Sequence, residues 1–366
     1  MYVSVRGRIW LEAEALNMVE SVGNYVKHRR VPIVVSEGGN FLTFFVPAIS
    51  GESVAHAYQT ILAEEMGKVK EKVCKYCQKG IFLKSSSKEV YQDVIGEKPP
   101  EAANKNKNEK GEVVGKIESS IVSNCGVEDV GGFLYAENPN VKRTSSFYTG
   151  YMVPVREGLK VLSIDPQLHS RYALGTKFVG AAEGESTSGQ EEGESTSGQE
   201  EGESTSGQEE GESTSGQRIY YVELSSGLFA FSFDLDTKFI GKYTFNVDQY
   251  GQDIVQTDSA KKRTQAAIEA LRRLLLEFPV GAKRTRFNPA EVRWDSLSLA
   301  VSNDVWTMPS SFVGDYMARA LSKKSSVNYG TNIYSYAESE CKGDKCYPTP
   351  EETVSNAIND ALGRLK

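Results

Sequence analysis

Histidine is scarce in this chain: three in 366 residues, at positions 28, 56 and 169. General acid–base catalysis and imidazole-ligated metals both lean on that residue, so neither is well provided for. The usual catalytic signatures are missing too: no G-x-S-x-G, no H-E-x-x-H and no phosphate-cradling G-x-x-x-x-G-K-[ST] occurs. GGFLYA is no dinucleotide fingerprint, because no second glycine pair opens a helix behind it. Long apolar runs are also lacking. FLTFFVPAI is among the longest and falls far short of a bilayer span. The opening MYVSVRGRIWLEAE alternates and carries charge, unlike a secretory signal. The expectation is a cytoplasmic protein with no membrane partner and no cofactor.

Acid is plentiful overall, with a formal net charge of −7, but it is unevenly placed. Residues 184–217 read GESTSGQEE three times and then GESTSGQ, with ten Glu and no Lys or Arg. Without them 39 acidic residues stand against 42 basic ones, so the remainder is mildly basic. A repeat this polar buries too little apolar surface to offset its ordering entropy, and a disordered insert is expected there.

Cysteine is sparse and odd in number. Cys74 and Cys77 form CKYC, Cys341 and Cys346 form CKGDKC, and Cys125 stands alone. Two close pairs suit a four-thiolate zinc site at Cys74, Cys77, Cys341 and Cys346; free thiols, or disulfides in a hyperthermophile, are the alternatives.

The length fits about two domains, or one with insertions. Alternation over 2–16 predicts a strand with Val3, Val5, Ile9, Leu11 and Ala13 on one parity, followed by a loop from about Asn17 to Arg30. VPIVV and FLTFFVPAI read as two strands joined through EGGN, and Ser50 as the N-cap of a helix through SGESVAHAYQTILAEEMGKV. GEKPPEAANKNKNEKGE reads as a loop, and the aromatic-rich segments around residues 131–155 as a hairpin. RIYYVELSSGLFAFSFDLD is the strongest strand signal, and 259–277 a helix with Ala267, Leu271, Leu274 and Leu275 on one face. Strands follow in RWDSLSLAVS and TNIYSYAES, with helices near SSFVGDYMARALSKK and at the end of the chain. Strands and helices mix without regular βαβ spacing, which favours an α+β, ferredoxin-like sheet elaborated by insertions.

Positive charge collects in four segments with few acids nearby: Lys27 to Arg30; Lys142, Arg143 and Arg156; His169, Arg171 and Lys177; and Lys283, Arg284 and Arg286. Several are interleaved with Ser and Thr, the mixture of guanidinium, ammonium and hydroxyl donors that phosphate oxygens accept. Phe133, Phe147, Tyr148 and Tyr151 lie beside the second cluster, where they could stack on bases. Any one cluster is an ordinary solvated face; four together in a near-neutral chain point to nucleic acid. His28 and His169 each adjoin an arginine, which suits polyanion contact better than general-base work. An acid–base pair for RNA cleavage stays open, although nothing in the sequence shows the two to be close.

Five blocks, in order, carry a family likeness: LEAEALNMVESVGNYVKHRRVPIV, VPAISGESVAHAYQ, DVGGFLYAENPNVKRTSSFYTGYMVPV, YYVELSSGLFAFSFDLD and GAKRTRFNP. Together they cover most of residues 1–300 and resemble the CRISPR RNA (crRNA)-binding backbone subunit of archaeal type I-A CRISPR Cascade complexes, the DevR-type branch of the RAMP superfamily. The resemblance implies a modified ferredoxin-like/RRM core with inserted helical and β-hairpin (thumb) subdomains. In that scheme 1–69 begins the core, 70–130 is an inserted, largely helical or irregular subdomain, and 131–155 is the thumb. Residues 156–183 are a core-associated segment, 184–217 the disordered insert, and 218–366 the remainder of the core. Many copies would assemble as a filament along one crRNA with other Cascade subunits, presenting the guide to complementary target DNA. Protein would hold the backbone while base pairing reads the sequence, as in another RNA-guided class.

Carried over by motif, Asn24, Lys27, His28, Arg29 and Arg30 fall in the RNA-gripping loop after the first strand. Ser50, Gly51 and Glu52 open the first helix, whose free N–H groups can meet a phosphate. Lys142, Arg143, Thr144 and Ser145 belong to the thumb, and His169 and Arg171 to another RNA-contacting region. Lys283, Arg284 and Arg286 complete the set. Type III relatives that cleave target RNA place an aspartate in the first loop; GNYVKHRR has no carboxylate, so a non-catalytic chain is expected. The competing expectations are a histidine-dependent crRNA-processing endoribonuclease and a transcriptional regulator, although no helix-turn-helix candidate is visible.

Overall fold

A computed structural model describes residues 1–16, 18–22, 25–101, 107–172, 217–281, 288 and 291–365. The chain opens with β1 (Tyr2–Glu14), β2 (Met18–Val22), β3 (Tyr25–His28), β4 (Arg30–Glu37), β5 (Asn40–Pro47) and α1 (Gly51–Lys68). Then come α2 (Lys75–Gln78), α3 (Lys88–Ile95), α4 (Lys107–Asn124), α5 (Gly126–Gly131), β6 (Phe133–Tyr135), β7 (Val141–Arg143), β8 (Phe147–Thr149) and β9 (Val153–Pro154). The remainder is β10 (Ser163–Tyr172), β11 (Gln217–Asp236), α6 (Thr257–Glu277), β12 (Trp294–Ser302), α7 (Tyr316–Ser326), β13 (Asn332–Ala337), β14 (Lys345–Cys346) and α8 (Pro350–Gly363).

The fold is a mixed α/β structure around one large sheet, with β1 at its centre. β11 and β12 pair with β1 antiparallel on either side, β13 and β14 extend the sheet beyond β12, and β3 and β2 extend it beyond β11. β8, β9 and β10 also pair with β11.

Alternation in β1 sends Val3, Val5, Ile9 and Leu11 to one face, level with Phe229, Phe231, Phe233 and Leu235 of β11 and Leu297, Leu299 and Val301 of β12. Helices α1, α6 and α8 cover that face. Each large apolar side chain buried there contributes about 1.5–3 kcal/mol relative to exposure. Gly7 shares the parity because the Trp294 ring fills its place: a Cβ there would stand 2.5 Å from an indole carbon.

Ser50 caps α1 as expected, its Oγ accepting from the Ser53 N–H at 3.2 Å. The Tyr58 hydroxyl of α1 donates to the Ala267 carbonyl of α6 at 2.9 Å, binding the two helices together.

The opposite face of the sheet is polar and also covered. Arg6 grips Asp234 through both terminal nitrogens, at 3.1 and 2.9 Å, and Arg8 Nε donates to the Ser311 carbonyl at 2.9 Å. The segment carrying Trp306, Met308 and α7 lies over this face, with the Met308 N–H donating to Ser4 Oγ at 2.9 Å.

Three expectations need correction and a fourth gains detail. The proposed loop 17–30 contains a paired β2–β3 hairpin, because its residues find a ladder partner in β11. The polar stretch through residue 111 contains the start of α4; Val113, Ile117, Ile121 and Val122 form its buried stripe, masked in composition by the Lys, Asn and Glu around them. Residues 131–155 do contain a hairpin, β6–β7, but Phe133, Tyr135 and Val141 pack it against α4, and the chain enters β6 through Gly132 (φ +72°). Finally, Cys341 and Cys346 form a disulfide, so the four-cysteine zinc arrangement is not formed. The repeat up to residue 216 lies outside the described residues. Among the described residues no helix is long and apolar enough to cross a membrane.

Candidate nucleic-acid interface

YVKHRR has no acid within it, but the fold supplies one from β11. The Glu223 carboxylate is buried beneath β3; it accepts from the Tyr25 hydroxyl at 2.8 Å, the His28 N–H at 2.8 Å and Arg30 Nη2 at 3.0 Å. Burial alone would raise its pKa, but the His28 amide, the Tyr25 hydroxyl and Arg30 outweigh burial and hold the carboxyl below its usual range.

His28 is 1% exposed, with Nδ1 2.9 Å from Ser225 Oγ and 3.8 Å from Glu223. Burial depresses its pKa, against the opposing pull of Glu223. Its ring therefore faces inward as a neutral structural group, which corrects the expectation of an RNA-facing histidine. Arg30 is partly committed to Glu223.

Lys27 and Arg29 differ from these. The Lys27 ammonium lies 5.5 Å from the Tyr25 ring centre, and Glu20 is its cross-strand partner in register. Arg29 Nη1 donates weakly to the Tyr151 hydroxyl at 3.4 Å, while Nε is buried without a partner; among the described residues no carboxylate reaches this guanidinium.

Several predicted residues gather around Arg29. Its carbonyl accepts from the Ala48 N–H at 2.9 Å, one step from the Ile49–Met152 bridge beside Tyr151. The opening of α1 is pinned there by Thr149 Oγ1, which donates to the Gly51 carbonyl at 2.8 Å. Ser50 is buried and Glu52 exposed. Tyr148 and Tyr151 present rings to solvent, whereas Phe147 stacks on Phe233 inside the core and Phe133 is buried, correcting the expectation that all four aromatics face outward.

The third cluster joins the first through β11, the strand between them. Tyr221 and Val222 pair with Tyr25 and Val26 of β3 on one side and with Leu168 and Gln167 of β10 on the other. His169 and Arg171 follow along β10, opposite Tyr220 and Arg218 in backbone register. Asn24, Lys283, Arg284 and Arg286 lie outside the described residues.

The second cluster divides. Lys142 and Thr144 are exposed and Ser145 half-buried, but Arg143 is enclosed at 3% exposure. Its guanidinium donates to the Asp129 carboxylate, to Glu118 Oε1 at 3.4 Å, and to the carbonyls of Asp129, Phe239 and Lys242 at 2.7–2.8 Å. Asp129 is shared with Arg263 at 3.0 Å, and Glu118 also accepts the N–H groups of Thr244, Phe245 and Asn246. Arg143 is thus a structural cation, which corrects its assignment to RNA contact.

The sequence reading missed Glu223, Glu118 and Asp129. Glu223 had a visible signal, a lone acid amid the apolar alternation of YYVELSSGLFAF.

A separate set of ligand-type atoms converges where Cys74, Cys77, Cys125 and Glu128 meet, all buried and within 4.8 Å of one another. Burial pushes the Glu128 carboxyl up to about 8.

The model of the CRISPR-associated negative auto-regulator DevR/Csa2 family matches residues 5–320. The chain is 30% identical over 311 residues to CRISPR-associated protein Cas7/Csa2 1 of Saccharolobus solfataricus, covering 84% of this chain and 81% of that protein. It is 32% identical over 285 residues to the CRISPR-associated aCascade subunit Cas7/Csa2 2 of the same organism, covering 77% and 74%. A CRISPR-associated protein Cas7/Cst2/DevR of Methanocaldococcus jannaschii is 23% identical over 331 residues, covering 87% and 86%. Solved chains of CRISPR RNA-guided surveillance complexes align over 99% of this chain at 12% identity with TM-scores of 0.43 and 0.45, a likeness too loose to carry an argument. The chain belongs to the DevR/Csa2 family.

Proposed function

We propose that this protein is a non-catalytic, cytoplasmic backbone subunit of a type I-A CRISPR interference complex. Copies of it line up along one crRNA with other Cascade subunits and present the guide to target DNA. Family membership over most of the chain carries this reading, since one relative is itself named an aCascade subunit. The sheet order β12-β1-β11, with β8 and β9 beyond β11 and α1 and α6 on one face, supports a ferredoxin-like, RRM-derived core.

The β2–β3, β11 and β10 ribbon is the proposed RNA grip. Lys27 and Arg29 lie on or beside it with Tyr151, and β10 brings the backbone of His169 and Arg171 onto the same extension. Exposed Lys142 and Thr144 extend the polar surface. The β10–β11 ladder, whose residues 165–168 are exposed, suits a projecting thumb better than the packed β6–β7 segment. Inward-facing His28 argues against a histidine-dependent nuclease.

Incubating purified protein with labelled crRNA tests the reading. Salt-sensitive retention of intact RNA is expected, together with regular helical particles in electron micrographs. Discrete cleavage products without added metal, or a preference for duplex DNA, would overturn it in favour of the nuclease or the regulator.

A further inference from the structure

From the convergence of Cys74, Cys77, Cys125 and Glu128 we infer a structural binding site for a thiophilic divalent cation, zinc first among them. The three sulfurs and a carboxylate oxygen lie within 4.8 Å of one another, although Cys125 is 48 residues beyond Cys77 in sequence. A tetrahedral site with metal–sulfur bonds of about 2.3 Å holds its sulfurs about 3.8 Å apart, so adjustments of an ångström or less complete the cage.

Buried cysteines are often no more than small apolar side chains. Three features set this group apart. The first is Glu128, 1% exposed and turned toward the sulfurs, with Oε1 3.5 Å from Cys74 Sγ. Among the described residues no ion pair reaches it. Lys84 donates to the Gly131 carbonyl at 2.9 Å and acts on Glu128 only from beyond ion-pair distance, and by geometry Glu128 Oε2 is left without a hydrogen bond among the described residues. An enclosed carboxyl that meets only the Cys74 thiol at Oε1 and leaves Oε2 unmet is costly to ionise, and a bound cation removes that cost.

The second feature is the orientation of backbone donors. The Cys77 N–H points at Cys74 Sγ, and the Cys74 N–H at Cys125 Sγ, both at 3.4 Å. Amide donors aimed at sulfur favour the thiolate that a metal requires. The third is spacing. Cys74 and Cys77 are three residues apart across the start of α2, and Cys125 and Glu128 have the same spacing at the start of α5. Two short local pairs from different segments form the usual frame of a closed structural zinc site.

The site would fasten the segment after α1 to α5. The Gly126 N–H already donates to the Lys72 carbonyl at 2.8 Å across this seam, and Asp129, next to Glu128, is the hub that holds Arg143 and Arg263.

Elemental analysis of the full-length protein, purified without chelator and dialysed, should find about one zinc per chain. Cys77→Ser and Cys125→Ser should lower that at least tenfold, whereas Cys341→Ser, in the disulfide, should leave it unchanged. Because cysteine variants in a core can misfold, the unmutated chain is also stripped under reducing conditions and titrated with cobalt(II). The intense visible bands and sulfur-to-metal charge transfer of a tetrahedral thiolate site should saturate near one equivalent, and zinc should abolish them. No zinc on purification with no cobalt spectrum, or a Cys74–Cys77 disulfide in the freshly purified protein, would overturn the proposal.

Discussion

KHRR and KRTSS look alike on paper, each a run of cations with no acid inside it. The fold treats them oppositely. Arg143 is taken fully inside, where Asp129, Glu118 and three carbonyls absorb every donor it has. In the first run His28 turns inward and Arg30 leans on Glu223, while Arg29 meets no carboxylate among the described residues. The difference lies in what distant segments bring. Asp129 and Glu118 lie 14 and 25 residues before Arg143, and Glu223 is 193 residues beyond Arg30. A basic run marks a polyanion site only where the fold leaves some of its charge unspent.

Arg143→Ala should give the largest effect. It strips two enclosed carboxylates of a shared cation, and breaking a buried pair typically costs about 3–5 kcal/mol. Urea denaturation followed by circular dichroism should show that loss; a change no larger than that of an ordinary surface substitution would erase the contrast between the two runs. Gly132→Ala should come next, at about 1–3 kcal/mol for a side chain forced into this backbone region. A Cβ there would lie 2.5 Å from the Arg143 carbonyl oxygen. Unaltered melting would show that the junction of α5 and β6, where Gly132 meets the end of β7, is less tightly held than its packing indicates.

The double replacement Lys27→Ala with Arg29→Ala should behave in the reverse way, changing stability by about 0.5 kcal/mol or less. It should weaken crRNA retention and flatten the log–log salt slope by roughly 1 to 2, since each single-strand phosphate contact contributes about 0.7. Binding that is as tight and as salt-sensitive as before would remove this ribbon from the interface.

The smallest effect concerns pH. Burial holds the folded-state pKa of His28 below its ordinary value, so the unfolded chain takes up the proton more readily. The stability contributed by a neutral His28 is complete above about pH 6.5 and declines as acid is added toward the depressed folded value. Glu223, held low by its donors, adds a second loss only in the more acidic carboxylate range. In His28→Gln the first of these slopes should vanish from the stability-versus-pH curve while the second persists; an unchanged curve would place the titration elsewhere.

Much of the fold was legible because it is written in local periodicity. The strand at Val3–Leu11, the Ser50 cap, the β4–β5 turn at Gly38 and Gly39 and the long α6 all emerge where pattern and packing agree. α4 was hidden because four apolar positions carry its packing while its polar face dominates the composition. The candidate site was only partly legible. Residue types single out Arg29, around which the fold gathers Tyr151 and the opening of α1, but burial of His28 and Arg143 depends on partners that no local window contains. The cysteines teach the same lesson: the solitary Cys125 joins CKYC, and CKGDKC closes on itself.

The β10–β11 ladder ends with Tyr172 opposite Gln217, so the stretch 173–216, which carries the glycine- and glutamate-rich repeat, is joined to the fold at two neighbouring points. A segment tethered at adjoining points need not bridge any set distance, and lengthening it adds only a slowly growing closure entropy. Nature has a position here where sequence can be gained or lost without re-registering a single strand. An experimenter can use the same position to graft an affinity handle or a fluorophore onto each copy of the protein.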